Sequence, residues 1–256
     1  MGDESVVGAA VAALRASQRP VVFTGAGMSA ESGIPTFRGG RDSLWSRWKP
    51  EELATPTAFQ RDPSLVWGWY VYRMAQLASV QPHAGHRVLA ELEGRWPGLK
   101  VVTQNVDDLH ERAGSSRVLH LHGELMKLRC SGCSRPFTGF EVPALHTMET
   151  GQRLEPPRCG NCEGLVRPGV VWFGESLPAK TWSLAQAAIR GSDLLLVVGT
   201  SGLVEPAASL VGLARQGGAQ VILVDPGESA HAGLADLHLR GAAGDVLGRL
   251  NDALDE

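Results

Sequence analysis

The chain has 256 residues, of which 43% are hydrophobic, and it carries a formal net charge of −3. This length supports one sizeable core, or one domain with a smaller appendage. The slight negative charge excludes a general nucleic-acid or membrane-surface binder, because no positive field attracts phosphate.

No apolar run is long enough to cross a membrane. Residues 1–19 lack the continuous apolar block of a signal peptide, and they read instead as an amphipathic helix. An Ala-, Gly-, Leu- and Arg-rich chain without an Arg/Ser-rich leader indicates the bacterial cytoplasm. No large apolar surface repeat stands out, so we expect a monomer without nucleic-acid or membrane partners.

Four apolar, β-rich runs follow along the chain, and each ends in small or polar residues: RPVVFTGAG, LKVVTQNVDDL, DLLLVVGTS and AQVILVD. Helical patterns separate them, such as HAGHRVLAELEG, TWSLAQAAIRG and PAASLVGLARQGG. Alternating strands and helices predict an α/β fold, in which a Rossmann-like parallel sheet carries helices on both faces.

Polar or small residues stand just after the predicted strands. In an open parallel sheet, ligands bind beyond the carboxyl ends of the strands. We therefore expect one crevice to collect Gly25, Gln104, Asn105, Asp107, Gly199, Thr200, Ser201 and Asp225.

Two segments interrupt this alternation. Residues 44–82 are rich in Trp and Pro and predict two or three short helices, and residues 129–166 are rich in turns. We expect both to form a small second domain, a helical insertion with a zinc ribbon. The Rossmann-like domain would then comprise residues 1–43, 83–128 and 167–256.

The four cysteines of the chain form two C-x-x-C pairs 25 residues apart: Cys130, Cys133, Cys159 and Cys162. In a reducing compartment such pairs are metal ligands more often than disulfides. Four thiolates complete a tetrahedral Zn²⁺ shell and leave no open position, so we expect one structural zinc. The alternative is a pair of redox dithiols.

The glycine turn at residues 25–27 directly follows a predicted strand. Such a turn lets backbone N–H groups approach a diphosphate at a helix N-terminus. Gly33 and Pro35 then break the helix, so the chain becomes a loop that carries Phe37 and Arg38 near the crevice. An enzyme that cleaves its cofactor needs such a lid, because a reactive oxocarbenium-like sugar must be shielded from water.

Six motifs occur in a fixed order between Val21 and Gly244: GAGMSAESGIPTFRG, TQNVDDLHERAG, HLHGEL, the two C-x-x-C pairs, VVWFGE and GTS. Together they resemble the sirtuins, which are NAD-dependent protein-lysine deacylases. The resemblance implies that NAD is a co-substrate. The substrate's acyl oxygen attacks the ribose carbon that carries nicotinamide, and the products are nicotinamide, O-acyl-ADP-ribose and free lysine.

The resemblance also implies the catalytic residues. His122, the second histidine of HLHGEL, matches the general base, and imidazole suits this role near neutral pH. His120 is expected to be structural. Asn105 and Asp107 match the pair that orders the nicotinamide ribose and carboxamide.

The NAD contacts that the resemblance implies come from several loops. Asp225 falls where many sirtuins carry Asn; it can accept from ribose hydroxyls but cannot donate. The implied cofactor residues are Gly25, Ala26, Gly27, Ser29, Phe37, Arg38, Trp45, Gln104, Asn105, Asp107, Gly199, Thr200, Ser201, Asp225 and Ala243.

The resemblance further implies that an acyl-lysine peptide adds as a strand between residues 170–176 and residues 202–206. Backbone pairing carries little sequence preference, which leaves the acyl group as the main specificity element. Val171, Phe173 and Gly174 would line the lysine tunnel.

Tyr70 and Arg73 are three residues apart in a predicted helix and so share a face. An Arg fork beside a phenol hydroxyl is a good receptor for a carboxylate. This Tyr-x-x-Arg pattern resembles the sirtuin class that removes succinyl, malonyl and glutaryl groups, and Ala54 matches a small residue that widens its acyl pocket. The alternative is that Arg73 pairs with Glu51 or Glu52.

Three other functions stay open at this point. The chain could be a generalist deacetylase, or a protein mono-ADP-ribosyltransferase that uses the same crevice. A non-enzymatic zinc-ribbon adaptor that senses NAD is the third. The presence of His122 favours deacylation, because sugar transfer alone needs no base for the attack that follows.

Overall fold

The structure is a computed structural model that describes residues 3–36 and 48–256. Three of the expected cofactor contacts, Phe37, Arg38 and Trp45, lie outside the described residues. No described helix is both long enough and apolar enough to cross a membrane.

The described residues form nine strands. They are β1 (Pro20–Thr24), β2 (Lys100–Thr103), β3 (Val118–His120), β4 (Gly123–Cys130), β5 (Pro136–Phe137), β6 (Val166–Val170), β7 (Leu194–Val198), β8 (Gln220–Val224) and β9 (Leu237–Leu239). Six of these make one sheet in the order β3-β2-β1-β7-β8-β9, and each pair in it is parallel. The predicted parallel sheet is thus confirmed, with β3 and β9 as additional edge strands.

The described residues also form nine α-helices. They are α1 (Asp3–Ala16), α2 (Pro50–Leu53), α3 (Pro56–Arg61), α4 (Pro63–Ser79), α5 (Ala84–Arg95), α6 (Leu109–Ala113), α7 (Ala179–Arg190), α8 (Ser209–Gln216) and α9 (Ala243–Asp255), with 3-10 helices at Ala26–Ser32, Leu145–Thr147 and Ala232–Leu234. Adjacent strand residues point to opposite faces. Val22 packs in the core of α1, α5 and α9, and Val21 and Phe23 pack in the core of α7 and α8.

The strand order reverses beside β1. The chain first builds β2 and β3 on one side of β1, and later places β7, β8 and β9 on the other side. Doubly wound sheets bind ligands at the carboxyl edge beside such a reversal, so we look for a ligand site at the strand ends there.

The second sheet is antiparallel, with the order β5-β4-β6. It begins at Gly123 and ends at Val170, and so extends beyond the predicted ribbon at residues 129–166 on both sides. One buried cluster joins this sheet to the helical insertion, where Trp67 and Met74 share a core with Leu128 and Val166. This shared core supports a common small domain, although the domain division itself stays a prediction.

The helical insertion differs from its prediction in one respect. Of its helices, α2 and α3 are short, but α4 has 17 residues. Pro63 occupies the first turn of α4, and the Asp62 side chain accepts a hydrogen bond from Leu65 N at 3.2 Å. Proline and an N-cap carboxylate both favour a helix start at this point.

Candidate active site

A cavity of about 580 Å³ lies at the carboxyl edge of the large sheet. This volume lies within the range of small-molecule sites. It brings together seventeen of the expected site residues: Gly25, Ala26, Gly27, Ala54, Tyr70, Arg73, Gln104, Asn105, His122, Val171, Phe173, Gly174, Gly199, Thr200, Ser201, Asp225 and Ala243.

The glycine turn after β1 packs against the loop after β7. A Cβ at Gly25 would lie 2.8 Å from Gly199 O, and a Cβ at Gly27 would lie 2.7 Å from Gly199 Cα. Gly25 N donates to Val198 O at 3.0 Å, and Gly27 N donates to Gly199 O at 2.8 Å. These two N–H groups are thus bonded to the protein's own carbonyls, whereas the approach of the turn to a diphosphate stays a prediction. The glycines allow the two loops to meet.

The chain after this turn forms the 3-10 helix Ala26–Ser32, which ends at Gly33 in the left-handed conformation, φ +87°. Glycine adopts this conformation at little cost. The helix thus ends at Gly33, as predicted, and residues 34–36 are not helical. Thr36 is the last described residue before residue 48.

His122 lines the cavity, and a backbone carbonyl from another segment orients its ring. Its Nδ1 lies 2.9 Å from Gln104 O. Because a carbonyl only accepts, Nδ1 carries the hydrogen, and Nε2 keeps the lone pair of a base. Burial lowers the pKa of His122 below 6.5, and the bond to Gln104 opposes this shift. The side chain is therefore a neutral base at pH 7.

Asn105 and Asp107 do not share one pocket. Asn105 lines the large cavity, where its Nδ2 donates to Ser29 Oγ at 3.0 Å, and Ser29 Oγ donates to Asp107 Oδ2 at 2.9 Å. The other oxygen of Asp107 accepts from Leu109 N at the start of α6. In this structure the Asp107 carboxylate lines a small neighbouring cavity with Arg73, and its expected role towards nicotinamide stays a prediction. Ser29 is likewise buried behind the wall, between these two side chains.

Threonines that sequence reasoning did not single out hold the backbone of Asn105. Asn105 N donates to Thr103 Oγ1 at 3.0 Å, and Thr24 Oγ1 donates to the same oxygen at 2.8 Å. Thr24 Oγ1 also lies 3.2 Å from His110 Nε2. With its hydrogen already donated, Thr24 accepts from Nε2–H, which fixes the tautomer of His110. The end of β2 is therefore anchored by buried polar contacts.

His120 has the structural role expected for it. Its Nδ1 donates to Asn105 O at 3.0 Å, and its Nε2 contacts Glu111 Oε1 at 2.8 Å. Burial alone would lower the pKa of His120, but the hydrogen bond to Glu111 outweighs burial and raises the pKa above its usual value. The two histidines of HLHGEL therefore have opposite electrostatic environments, and only His122 suits a base at neutral pH.

The loops after β7 and β8, which carry expected cofactor contacts, also line the cavity. Gln104 Nε2 donates to Thr200 Oγ1 at 2.8 Å, and Asp225 Oδ1 accepts from Gly227 N at 2.8 Å. Ala243 begins α9, and the next amide, Gly244 N, donates to Glu31 Oε2 at 2.7 Å. These bonds fix the lining groups before a ligand arrives.

The Tyr–Arg pair predicted to receive a carboxylate also lines the cavity. Tyr70 and Arg73, one turn apart on α4, are only 3% and 8% exposed and both line the cavity. The Arg73 guanidinium lies over the Trp69 ring, 5.0 Å from its centroid. Burial raises the pKa of Tyr70 to about 12, so the phenol keeps its hydrogen at neutral pH. The described structure contains no ion pair between Arg73 and Glu51 or Glu52.

The two loops expected to hold the peptide flank the cavity mouth. Val171 N donates to His122 O, and Phe173 N donates to Ala54 O, at 2.8 and 2.9 Å. Phe173 and Leu203 are large apolar side chains that are 46% and 63% exposed. Exposed apolar side chains on these two loops suit a docking segment of chain.

The four cysteines lie together at the end of the small sheet. Sγ of Cys130 and Cys162 are 3.4 Å apart, those of Cys133 and Cys159 are 3.7 Å apart, and all four lie within 4.8 Å of one another. Four thiolates around Zn²⁺ at 2.3 Å would be about 3.8 Å apart. The donor set and spacing therefore fit one tetrahedral metal ion.

Comparisons with known proteins agree with this arrangement. The family model for the Sir2 family matches residues 25–206. An "NAD-dependent protein deacylase 1" of Pseudomonas aeruginosa is 52% identical over 242 residues, which cover 94% of this chain and 96% of the relative. An "NAD-dependent protein deacylase" of Aquifex aeolicus is 48% identical over 236 residues, which cover 92% of this chain and 95% of the relative.

Solved structures give the same result. A "Sir2 homolog-NAD complex" has a TM-score of 0.87 and 44% identity, with 97% of this chain and 93% of that chain covered. The structure of "Sir2Af2 bound to a myristoylated histone peptide" has a TM-score of 0.76 and 32% identity, with 98% and 97% covered. The chain therefore belongs to the Sir2 family, the sirtuins, as its motifs predict.

Proposed function

We propose that this protein is an NAD-dependent protein-lysine deacylase that prefers acyl groups ending in a carboxylate, such as succinyl and malonyl. The observation that carries the proposal is the composition of the cavity. The same cavity is lined by a neutral base, His122, by glycine-rich loops that suit a dinucleotide, and by a buried Tyr–Arg pair that suits an anion. The names of the relatives support the NAD-dependent deacylation, and the acyl preference rests on the Tyr–Arg pair.

In the proposed reaction the cavity wall at Gly25–Gly27 and Gly199–Ser201 holds the ADP-ribose part of NAD. The acyl oxygen of the lysine substrate attacks the ribose carbon, and nicotinamide leaves. His122 then takes a proton from a ribose hydroxyl through Nε2, and that hydroxyl oxygen attacks the acyl carbon. One water adds to the resulting cyclic intermediate, the lysine amine leaves with a proton, and the acyl group stays on the ribose as O-acyl-ADP-ribose. A positioned base of this kind contributes about 10²- to 10⁴-fold to a rate.

The acyl preference follows from burial at Arg73 and Tyr70. A guanidinium and a phenol hydroxyl are both donors, and a carboxylate is an acceptor only. A neutral, shorter acetyl group does not supply a charge to the buried guanidinium, so succinyl-lysine gains a charge-assisted hydrogen bond that acetyl-lysine lacks. Acetyl-lysine is expected to turn over with lower efficiency.

We further propose that the cysteine cluster binds one structural Zn²⁺. Its geometry closes a tetrahedral shell, which leaves no ligand position for substrate. The ion would tie the turn after β4 to the loop before β6. That the protein is a monomer of the cytoplasm remains a prediction from the sequence.

The test compares kcat/KM for one peptide that carries succinyl-lysine or acetyl-lysine, with NAD in excess, in wild type, Arg73→Met and Arg61→Met. The control, Arg61→Met, removes the same charge from an exposed position at the end of α3. We expect wild type and Arg61→Met to prefer succinyl-lysine, and Arg73→Met to lower the succinyl-to-acetyl ratio by about 10- to 100-fold.

Other outcomes identify the alternatives. Preference for acetyl-lysine, with no change of the ratio in Arg73→Met, would make the protein a generalist deacetylase with a structural arginine. Release of nicotinamide without lysine deacylation, but with ADP-ribose on the protein or peptide, would indicate mono-ADP-ribosyl transfer. No turnover of either peptide by wild type, with NAD binding fully retained in His122→Tyr, would indicate a non-enzymatic adaptor.

A further inference from the structure

Trp172 contacts the acyl receptor although it belongs to the loop after β6. Its Nε1 donates a hydrogen bond to the Tyr70 hydroxyl oxygen at 2.9 Å, and the two ring centroids are 6.2 Å apart. Trp172 is 3% exposed, so water does not compete for this bond. The bond joins two elements that are 102 residues apart in the chain.

An ion pair holds the indole in place from its other side. The Arg167 guanidinium lies 3.3 Å from the Trp172 ring centroid, and it is itself buried. Both of its terminal nitrogens donate to Glu175, at 2.5 and 2.9 Å, and Glu175 Oε2 also accepts from Trp172 N at 2.8 Å. Phe59 packs against the same indole with a centroid distance of 5.3 Å. The direction of the indole N–H is therefore fixed.

The bond determines what the Tyr70 hydroxyl offers to a ligand. A phenol has one hydrogen to donate and an oxygen that accepts. When the oxygen accepts from Trp172, the single hydrogen is directed elsewhere, and among the described residues this is the one hydrogen bond of the Tyr70 hydroxyl. A carboxylate in the cavity only accepts, so it matches a hydroxyl that is already committed as an acceptor.

We propose that Trp172 is a specificity-determining residue, which fixes the Tyr70 hydroxyl as a donor to the terminal carboxylate of the acyl group. The Arg167–Glu175 pair supports this role by holding the indole. The inference rests on the proposed preference for carboxylated acyl groups. The inference adds that the preference for a carboxylated acyl group depends on the indole N–H of Trp172.

The test is a double-mutant cycle on the full chain, with succinyl-lysine and acetyl-lysine forms of one peptide. Trp172→Phe keeps an aromatic ring and removes the indole N–H, and it is combined with Tyr70→Phe. The matched control is Trp67→Phe, which removes an equally buried indole from the same core where it packs on Phe140. Each variant is scored by its succinyl-to-acetyl ratio of kcat/KM, with kcat and KM determined separately.

We expect Trp172→Phe to lower the ratio by roughly ten-fold, through KM for the succinyl peptide, because one hydrogen bond to a charged group is lost or misdirected. Since Trp172 acts through Tyr70, the double variant should be no worse than Tyr70→Phe alone. Trp67→Phe should keep the wild-type ratio. Glu175→Gln weakens the ion pair with Arg167 and should also lower the succinyl-to-acetyl ratio. This variant replaces Trp172→Phe in the test if Trp172→Phe does not fold.

Three results would overturn the inference while the proposed function stands: an unchanged ratio in Trp172→Phe, losses that add in the double variant, or an equal loss in Trp67→Phe. The first would make the bond irrelevant to recognition, and the others would make pocket shape the cause. A wild-type enzyme that prefers acetyl-lysine would refute both the inference and the function on which it rests.

Discussion

A buried histidine in α5, His86, should make the stability of this protein depend on pH. His86 is 0% exposed and lies between His83 and His110, with ring centroids 4.3 and 5.0 Å away. Neither of its ring nitrogens has a hydrogen-bond partner within the described part of the chain. Burial, and then the neighbouring His110, His83 and Arg87, lower the pKa of His86 to about 2.

The sign and size of the effect follow from proton linkage. In the unfolded chain the imidazole has its ordinary pKa of about 6.5 and binds a proton as the pH falls from 7 to 5, whereas folded His86 does not. The unfolded state therefore binds more protons, and the free energy of unfolding decreases as the pH falls. For this one side chain the decrease between pH 7 and pH 5 is about 2 kcal/mol.

The perturbation that isolates this effect is His86→Leu. Urea unfolding at pH 7 and pH 5, with zinc in excess, gives the free energy of unfolding of the variant relative to wild type. This difference should shift by about 2 kcal/mol in favour of the variant at pH 5. His146→Leu, at an exposed position, is the control. A shift below about 0.5 kcal/mol in His86→Leu, or an equal shift in the control, would refute the reasoning.

Three further predictions concern the site. His122→Ala should lower deacylation by about 10²- to 10⁴-fold while nicotinamide exchange continues. In wild type, kcat/KM should rise with pH through an apparent pKa below 6.5, because burial lowers the pKa of His122. A kcat/KM that falls with pH over this range would contradict the role of His122 as a neutral base. Gly27→Ala should raise KM for NAD at least ten-fold or unfold the protein, since its Cβ would lie 2.7 Å from Gly199 Cα, and wild-type kinetics would show that the close loop contact is unimportant. Purified protein should contain one zinc per chain by elemental analysis, and Cys162→Ser should lose both the zinc and thermal stability. If the purified protein contains no zinc and a chelator does not lower its stability, the cysteines are redox dithiols instead.

Much of the fold is predictable from the sequence because its central strands are buried on both faces. Runs such as Leu194–Val198 are wholly apolar, which is typical of a parallel sheet covered by helices. The edge strands β3 and β9 have three residues each and give no comparable run. The small sheet begins at Gly123, inside the HLHGEL motif and before the first cysteine, so the cysteine spacing that predicts a zinc ribbon does not indicate where the sheet starts.

The candidate site was predictable to the extent that it depends on topology. Strand ends in one parallel sheet meet at one edge, so Gln104, Asn105 and Thr200 converge as expected. Side-chain direction within loops depends on local partners, which is why the turn of Asp107 towards Ser29 and α6 was not foreseen. Trp172 stands in a recognised motif, but its bond to Tyr70 needs a contact between distant segments that no local pattern reports.

The most direct test of the account is an internal competition between two otherwise identical peptides, one succinylated and one acetylated on the same lysine, in a single reaction with NAD. Mass spectrometry follows both peptides and both co-products, so the ratio of consumption gives the ratio of kcat/KM. The account predicts that the succinyl peptide is consumed first, with O-succinyl-ADP-ribose and nicotinamide formed in equal amounts. Earlier consumption of the acetyl peptide, or a peptide that gains ADP-ribose and keeps its acyl group, would contradict it.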